Sequence, residues 1–314
     1  DIDVDNVLNG AGDHRNNDSD DDINVDNVLN GAGDNRNNSS DDDIDVSDVL
    51  NGGVYAVTRD CEVSMVIEHR RGIGGMVPHA SGGVVVSGRN VSWKPFAGDD
   101  DTVATILMLD RDEGNGNVGY NDLTSDRQGR VYVGSLGSSP VFEDGREPAS
   151  GDLYLIDLDG KAHVVMPDIR LTNGLAVSPD GRTLYHSDTT PSVVNRYTVN
   201  EDGTLSDRDV FVTTDKGVPD GLCVSEDGAV WVALAGGGGG VQSYAADGSP
   251  QAFVSIPQPM CTSCCFGGDD LKDLYIVSGS DGGDLNTGAV YVETLETPGL
   301  PVHPARIALT GTGV

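Results

Sequence analysis

At 314 residues the chain is long enough for two average domains, yet an all-β propeller or barrel uses this length as one cooperative unit. Glycine is abundant at 43 residues, aromatic residues make up only 5%, and the apolar runs are short and rich in Val, Leu and Tyr, which excludes a helical bundle. The net charge of −32 opposes binding to nucleic acid or to an anionic membrane, and no apolar run reaches the roughly 20 residues of a membrane-spanning helix. The expectation is a soluble, cytoplasmic protein, a monomer or small homo-oligomer, with no nucleic-acid or membrane partner. Five cysteines, with Cys264 and Cys265 adjacent, do not form a disulfide framework. No Cys-x-x-Cys pair has a His or Cys partner at finger spacing, so a finger-type zinc site is excluded.

The first segment, residues 1–46, is an internal repeat. Asp-Asn-Val-Leu-Asn-Gly-Ala-Gly-Asp occurs at 5–13 and again at 26–34, and an altered copy occupies 47–53. The period is 21 residues, with Ile2, Ile23 and Ile44 in register. Residues 1–48 hold fifteen Asp and two Arg, so they supply −13 of the charge and leave −19 to the rest, a solvated shell that serves solubility or a salt-rich habitat. The Asn/Asp/Ser stretches between copies have almost nothing apolar to bury. Alternating Asp and Asn oxygens suit calcium, although no copy carries the Glu that closes an EF-hand loop. This segment is expected either as an extension or as part of the first blade of a propeller formed by residues 47–314.

From 47 to 314 the pattern is strand, glycine turn, strand. Val54–Val57, Val84–Ser87, Arg130–Gly134, Leu153–Ile156, Leu184–Ser187, Ala229–Ala233 and Leu274–Ser278 are β-prone runs. Ser81-Gly82-Gly83, Asp126 to Arg130, Pro179 to Arg182, Glu226-Asp227-Gly228 and Gly267-Gly268-Asp269 mark turns. The unit starts recur near Met76, Asn121, Asn173, Asp220 and Ser263, at spacings of 45, 52, 47 and 43 residues. A strand-rich period of 40 to 50 residues marks a propeller, and five starts plus a blade completed by the N-terminal segment make an all-β, six-bladed one.

In a propeller the innermost strands converge on the axis, so polar groups at matching blade positions meet there. Asn121-Asp122, Asn173-Gly174 and Asp220-Gly221 stand at three successive starts. Singly they are ordinary turn dipeptides; together they offer amide and carboxylate oxygens to a hard cation. Gly236–Gly240 lacks the helix and Lys of a phosphate loop, and no nucleophile elbow accompanies Ser263. The stretch Ser138 to Ser150 has the length of a lid over the channel.

At these residues the chain resembles the senescence marker protein/gluconolactonase/luciferin-regenerating-enzyme family. The resembling stretches are Glu68 to Gly83, Asn121 to Arg130 with Gly134, Leu171 to Arg182 with Tyr185 and Asp188, Pro219 to Gly228 with Trp231, and Thr262 to Gly268 with Leu274-Tyr275, covering about 47–310. The resemblance implies a six-bladed propeller with one axial divalent metal, calcium first and magnesium, manganese or zinc as alternatives, and an activity that opens lactones or related esters. It implies Asn173 and Asp220 as metal ligands, Asp220 as general base and Asn121 as a substrate contact. The family's further Glu ligand has no counterpart, since no Glu precedes Glu62, and counting back places Asp34 there. Gly119 stands where the family carries a sugar-acid-binding Arg, which argues against gluconolactone itself. His79 is a candidate substrate contact or else a packed histidine. A metal-dependent phosphotriesterase and a non-catalytic metal- or ligand-binding propeller are the rival readings.

Overall fold

The computed structural model describes residues 2–3, 6–8, 25–30, 44–48, 53–58, 62–67, 72–95, 103–108, 117–137, 149–279 and 288–309. These residues form six sheets, the blades of a β-propeller. Blade 1 runs from its inner strand Val25–Asn30 through Ile44–Asp48 and Val54–Val57 to Val63–Ile67. The inner strands of blades 2 to 6 are Met76–Pro78, Gly119–Ser125, Thr172–Val177, Val218–Val224 and Cys261–Gly267. Each packs against the next, and that of blade 6 packs against that of blade 1, so the circle closes.

Closure uses the N-terminal repeat. Asn6–Leu8 pairs antiparallel with Ala289–Thr294 as the fourth strand of blade 6, while Ile2–Asp3 pairs parallel with Pro250–Ser255 on the edge of blade 5. The chain's start is thereby stitched to its last blade, which leaves fewer unpaired sheet edges.

The core is distributed between blades. Val54, Ile67, Met76 and Val86 join blades 1 and 2; Tyr132, Leu155, Leu184 and Tyr197 join blades 3 and 4; Trp231, Val254, Phe266 and Tyr291 join blades 5 and 6. Val, Leu and Tyr alternate along the strands because each sheet presents one face to each neighbour. At the far end of the inner strands the expected glycine turns appear. Gly129, Gly181 and Gly228 have φ of 89°, 75° and 85°, a left-handed conformation that glycine adopts without strain, and each donates its N–H back to Asp126, Ser178 or Ser225.

Candidate active site at the propeller axis

Near the start of five inner strands the register against the second strand slips by one residue. It slips between Tyr120 and Leu123, Thr172 and Leu175, Pro219 and Leu222, Cys261 and Ser263, and Val25 and Asn27. Such a bulge leaves a residue outside the ladder and re-aims its side chain. The first bulged residues are Asn121, Asn173, Asp220 and Thr262, and the matching register in blade 1 belongs to Asp26. In blade 2 regular pairing begins only at Met76, and the Ser87 N–H reaches Gly75 O, so Gly74 holds the corresponding place. The axial positions are therefore Asp26, Gly74, Asn121, Asn173, Asp220 and Thr262.

The residue after each axial position must be small where blades crowd together. A Cβ on Gly174 would lie 2.4 Å from Leu222 N and 2.6 Å from Asp220 O, and one on Gly221 would lie 2.3 Å from Ser263 Oγ. The Asn-Gly and Asp-Gly dipeptides thus serve close approach of neighbouring strands as well as bulge geometry.

A chain of hydrogen bonds links three axial segments. The Asn121 amide nitrogen donates to Thr172 O at 2.7 Å and to Asn173 Oδ1 at 2.5 Å. Asn173 Nδ2 donates to Thr189 Oγ1 at 2.7 Å, and the Thr189 hydroxyl donates to Pro219 O at 2.6 Å, beside Asp220. Behind them, Asp188 accepts the N–H groups of Leu171 and Arg170 at 2.9 and 3.3 Å, which fixes the turn leading into Asn173. Burial raises the Asp188 carboxyl above its ordinary pKa, partly offset by those two N–H bonds. Burial first, then Cys264 and last the Asp220 charge raise the pKa of the Cys261 thiol in blade 6.

The structure brings Asn121, Asn173 and Asp220 onto three consecutive inner strands at one level of the channel. Asp34 lies outside the described residues, as do residues 138–148 of the expected lid. His79 sits at the opposite end of the inner strand of blade 2, buried, with both ring nitrogens committed to backbone. Nε2 meets Ile307 O at 3.0 Å and Nδ1 accepts the Ser81 N–H at 3.1 Å, so the ring is the neutral Nε2–H tautomer. It caps its turn as Asp126 does in blade 3, where Oδ1 accepts the Gln128 N–H at 3.0 Å, which is the packed-histidine arrangement. Met76 and Ser263 mark their blades two residues and one residue past the axial positions, which are Gly74 and Thr262. A one-residue bulge does not disturb hydrophobic alternation enough to be counted from sequence, so Gly74, Thr262 and Asp26 escaped notice. The glycine pair before Met76 was the available signal.

Below the axial level lies a cavity of about 200 Å3, lined by Asp122, Leu123, Gly174, Leu222, Ser263 and Cys264 among others. Leu300 to His303 form its far wall. This C-terminal strap crosses the face of the propeller: Leu300 N bonds Val224 O, Ala305 N bonds Pro78 O, Arg306 N bonds Gly129 O and Ala308 N bonds Leu158 O. Ser125 Oγ donates to His303 O. The strap covers the C-terminal ends of the inner strands in blades 2, 3 and 5, leaving the axial level at the other end of the channel.

The donors at that level suit a hard cation. Asn173 Oδ1 accepts one N–H and retains a lone pair, and Asp220 adds a carboxylate. Among the described residues no three His, Cys, Asp or Glu side chains cluster, so the donors are mixed amide and carboxylate oxygens. That chemistry fits calcium, magnesium or manganese better than zinc.

Comparison with known proteins adds three findings. Residues 39–280 match the family described as SMP-30/Gluconolactonase/LRE-like region. Regucalcin of Xenopus laevis is 31% identical over 68% of this chain and 71% of its own length, and pentonolactonase XacC of Haloferax volcanii is 33% identical over 54% and 56%. Among solved structures, a calcium-binding protein, regucalcin, from Agrobacterium tumefaciens superposes with a TM-score of 0.78 at 18% identity, covering 98% of this chain and 99% of that one.

Proposed function

The chain belongs to the SMP-30/gluconolactonase/LRE-like family, and from that premise we propose that it hydrolyses a lactone or closely related ester at the axial site. The observation that supports this reading is the placement of Asn121, Asn173 and Asp220 at matching bulges of three adjacent inner strands. Relatives named as lactonases, among them the Haloferax volcanii enzyme, support the reaction class.

One divalent cation, calcium first, would be held by Asn173 Oδ1 and Asp220, with a third ligand from the N-terminal segment. Asp34 is the candidate that the sequence offers, and it lies outside the described residues. When bound, the cation supplies Lewis-acid polarisation of a carbonyl oxygen and a more acidic water. The protein supplies the rest. The Asp220 carboxylate would orient the attacking water and take its proton. Asn121 holds its amide toward blade 4 and its Oδ1 over Gly74, a fixed dipole that orients the substrate. The strap crosses the other end of the channel over blades 2, 3 and 5, and at the axial end the developing charge would meet preorganised dipoles. Gly119 stands where the family carries a sugar-acid-binding Arg, so a lactone other than gluconolactone is the expected substrate.

The test is hydrolysis of a lactone panel alongside an organophosphate triester, with elemental analysis of the protein, before and after chelation. Metal-dependent lactone opening supports the proposal. Triester turnover with inert lactones replaces it with a phosphotriesterase, and a metal-free protein inert to both makes it a binding propeller.

A further inference from the structure

The orientation of the Asn173 amide is decided at both ends of its hydrogen-bond chain. Thr172 O and Pro219 O are backbone carbonyls and can only accept. The group that Asn121 presents to Thr172 O is therefore its NH2, which also donates to the neighbouring oxygen of Asn173. At the other end, Thr189 gives its single hydroxyl proton to Pro219 O at 2.6 Å, so its oxygen is free only to accept, and what faces it is the NH2 of Asn173. Read from either carbonyl, the chain has one consistent set of directions. Thr189 is itself held in place, since its N–H bonds Leu171 O at 3.0 Å and it comes directly after the strand Thr183–Asp188.

We infer that Thr189 is a positioning residue: its hydroxyl, already spent on Pro219 O, forces Asn173 to turn Oδ1 toward the axis and to be an amide instead of a carboxylate. The inference rests on the proposed cation site for its functional meaning, but the orientation itself does not. An aspartate at 173 would set a carboxylate oxygen against an oxygen with no proton left to give, and relief would break the link to blade 5. The same link ties the Asn173 bulge to the residue preceding Asp220, so one hydroxyl sets the spacing between two proposed ligands. Such outer partners of metal ligands change metal affinity about 10- to 100-fold when removed.

The experiment compares wild type, Thr189→Val and Thr189→Ser by two readouts. The first is solvent-exchange protection of the Asn173 side-chain NH2 by 15N NMR, assigned by its disappearance in Asn173→Ser. The second is calcium affinity by calorimetry. The expected result is a protected NH2 in wild type and Thr189→Ser that loses protection in Thr189→Val, with calcium binding 10- to 100-fold weaker in Thr189→Val and restored by Ser. Unchanged protection in Thr189→Val overturns the inference. Loss of protection with no calcium bound even by wild type leaves Thr189 as the orienting residue and overturns the cation site instead.

Discussion

The two ends of the propeller channel are built from the same inner strands and solve opposite problems. At the N-terminal end five of the six inner strands bulge, and Asn121, Asn173 and Asp220 stand at three of these bulges. At the C-terminal end the strands finish in tight glycine turns whose backbone is consumed by the strap, through Val224 O, Pro78 O and Gly129 O. Even the side chains follow this division: His79 spends both ring nitrogens on backbone partners, whereas Asn173 Oδ1 retains a lone pair. The lesson is that the proposed chemistry draws on residues where the ladder is interrupted, and the strap's backbone bonds on residues where it is completed.

That contrast breaks most sharply at Asp220. Asp220→Asn should lower kcat/KM for the responsive lactone by about a hundred- to ten-thousand-fold while leaving the thermal midpoint within a few degrees. Equal loss of folding and activity would erase the distinction between the ends. Gly74→Ala should come next, because the new Cβ would lie 2.1 Å from Asn121 Oδ1 and 2.9 Å from its Cα. Displacing that amide should cost about a hundred-fold in activity with a smaller loss of stability, measured by parallel kinetics and denaturant titration.

At the strap end the expected pattern inverts. His79→Ala leaves Ile307 O and the Ser81 N–H without their partner and should destabilise by about 1–3 kcal/mol in urea, with kcat nearly unchanged in the folded fraction. A large kcat effect at full stability would return His79 to the site. The smallest effect per unit is electrostatic. His186, fully buried beside Tyr197, has its pKa lowered to about 3, first by burial and then by the Arg208 charge, against 6.5 when unfolded. The unfolded chain therefore binds a proton that the folded one refuses. This contribution is intact above pH 6.5 and is lost as pH falls toward 3, at up to about 1.4 kcal/mol per unit. His186→Phe should flatten that part of the stability profile, and an unchanged slope would assign acid sensitivity elsewhere.

Much of the architecture is legible in the sequence alone. The blade period, the turn glycines at 129, 181 and 228, and the Asn121, Asn173 and Asp220 set arise from repetition, which sequence displays directly. What escaped depends on pairing partners. Asn6-Val7-Leu8 and Asn27-Val28-Leu29 are the same three residues, yet the first is the outer strand of blade 6 and the second belongs to the inner strand of blade 1. No local propensity separates them, because each strand's role is set by the strand it meets. The strap and Thr189 were hidden for the same reason: their bonds join residues far apart in the chain, such as His79 with Ile307 and Thr189 with Pro219.

The central claim is that axial oxygens from separate blades hold one cation used in ester hydrolysis. Calcium titration of chelator-stripped wild type and Asp220→Asn, with lactone turnover measured in the same samples, tests it most directly. The account predicts one equivalent bound and turnover restored in wild type, and neither in Asp220→Asn. Full turnover in the stripped protein, or equal calcium binding by both, would contradict it.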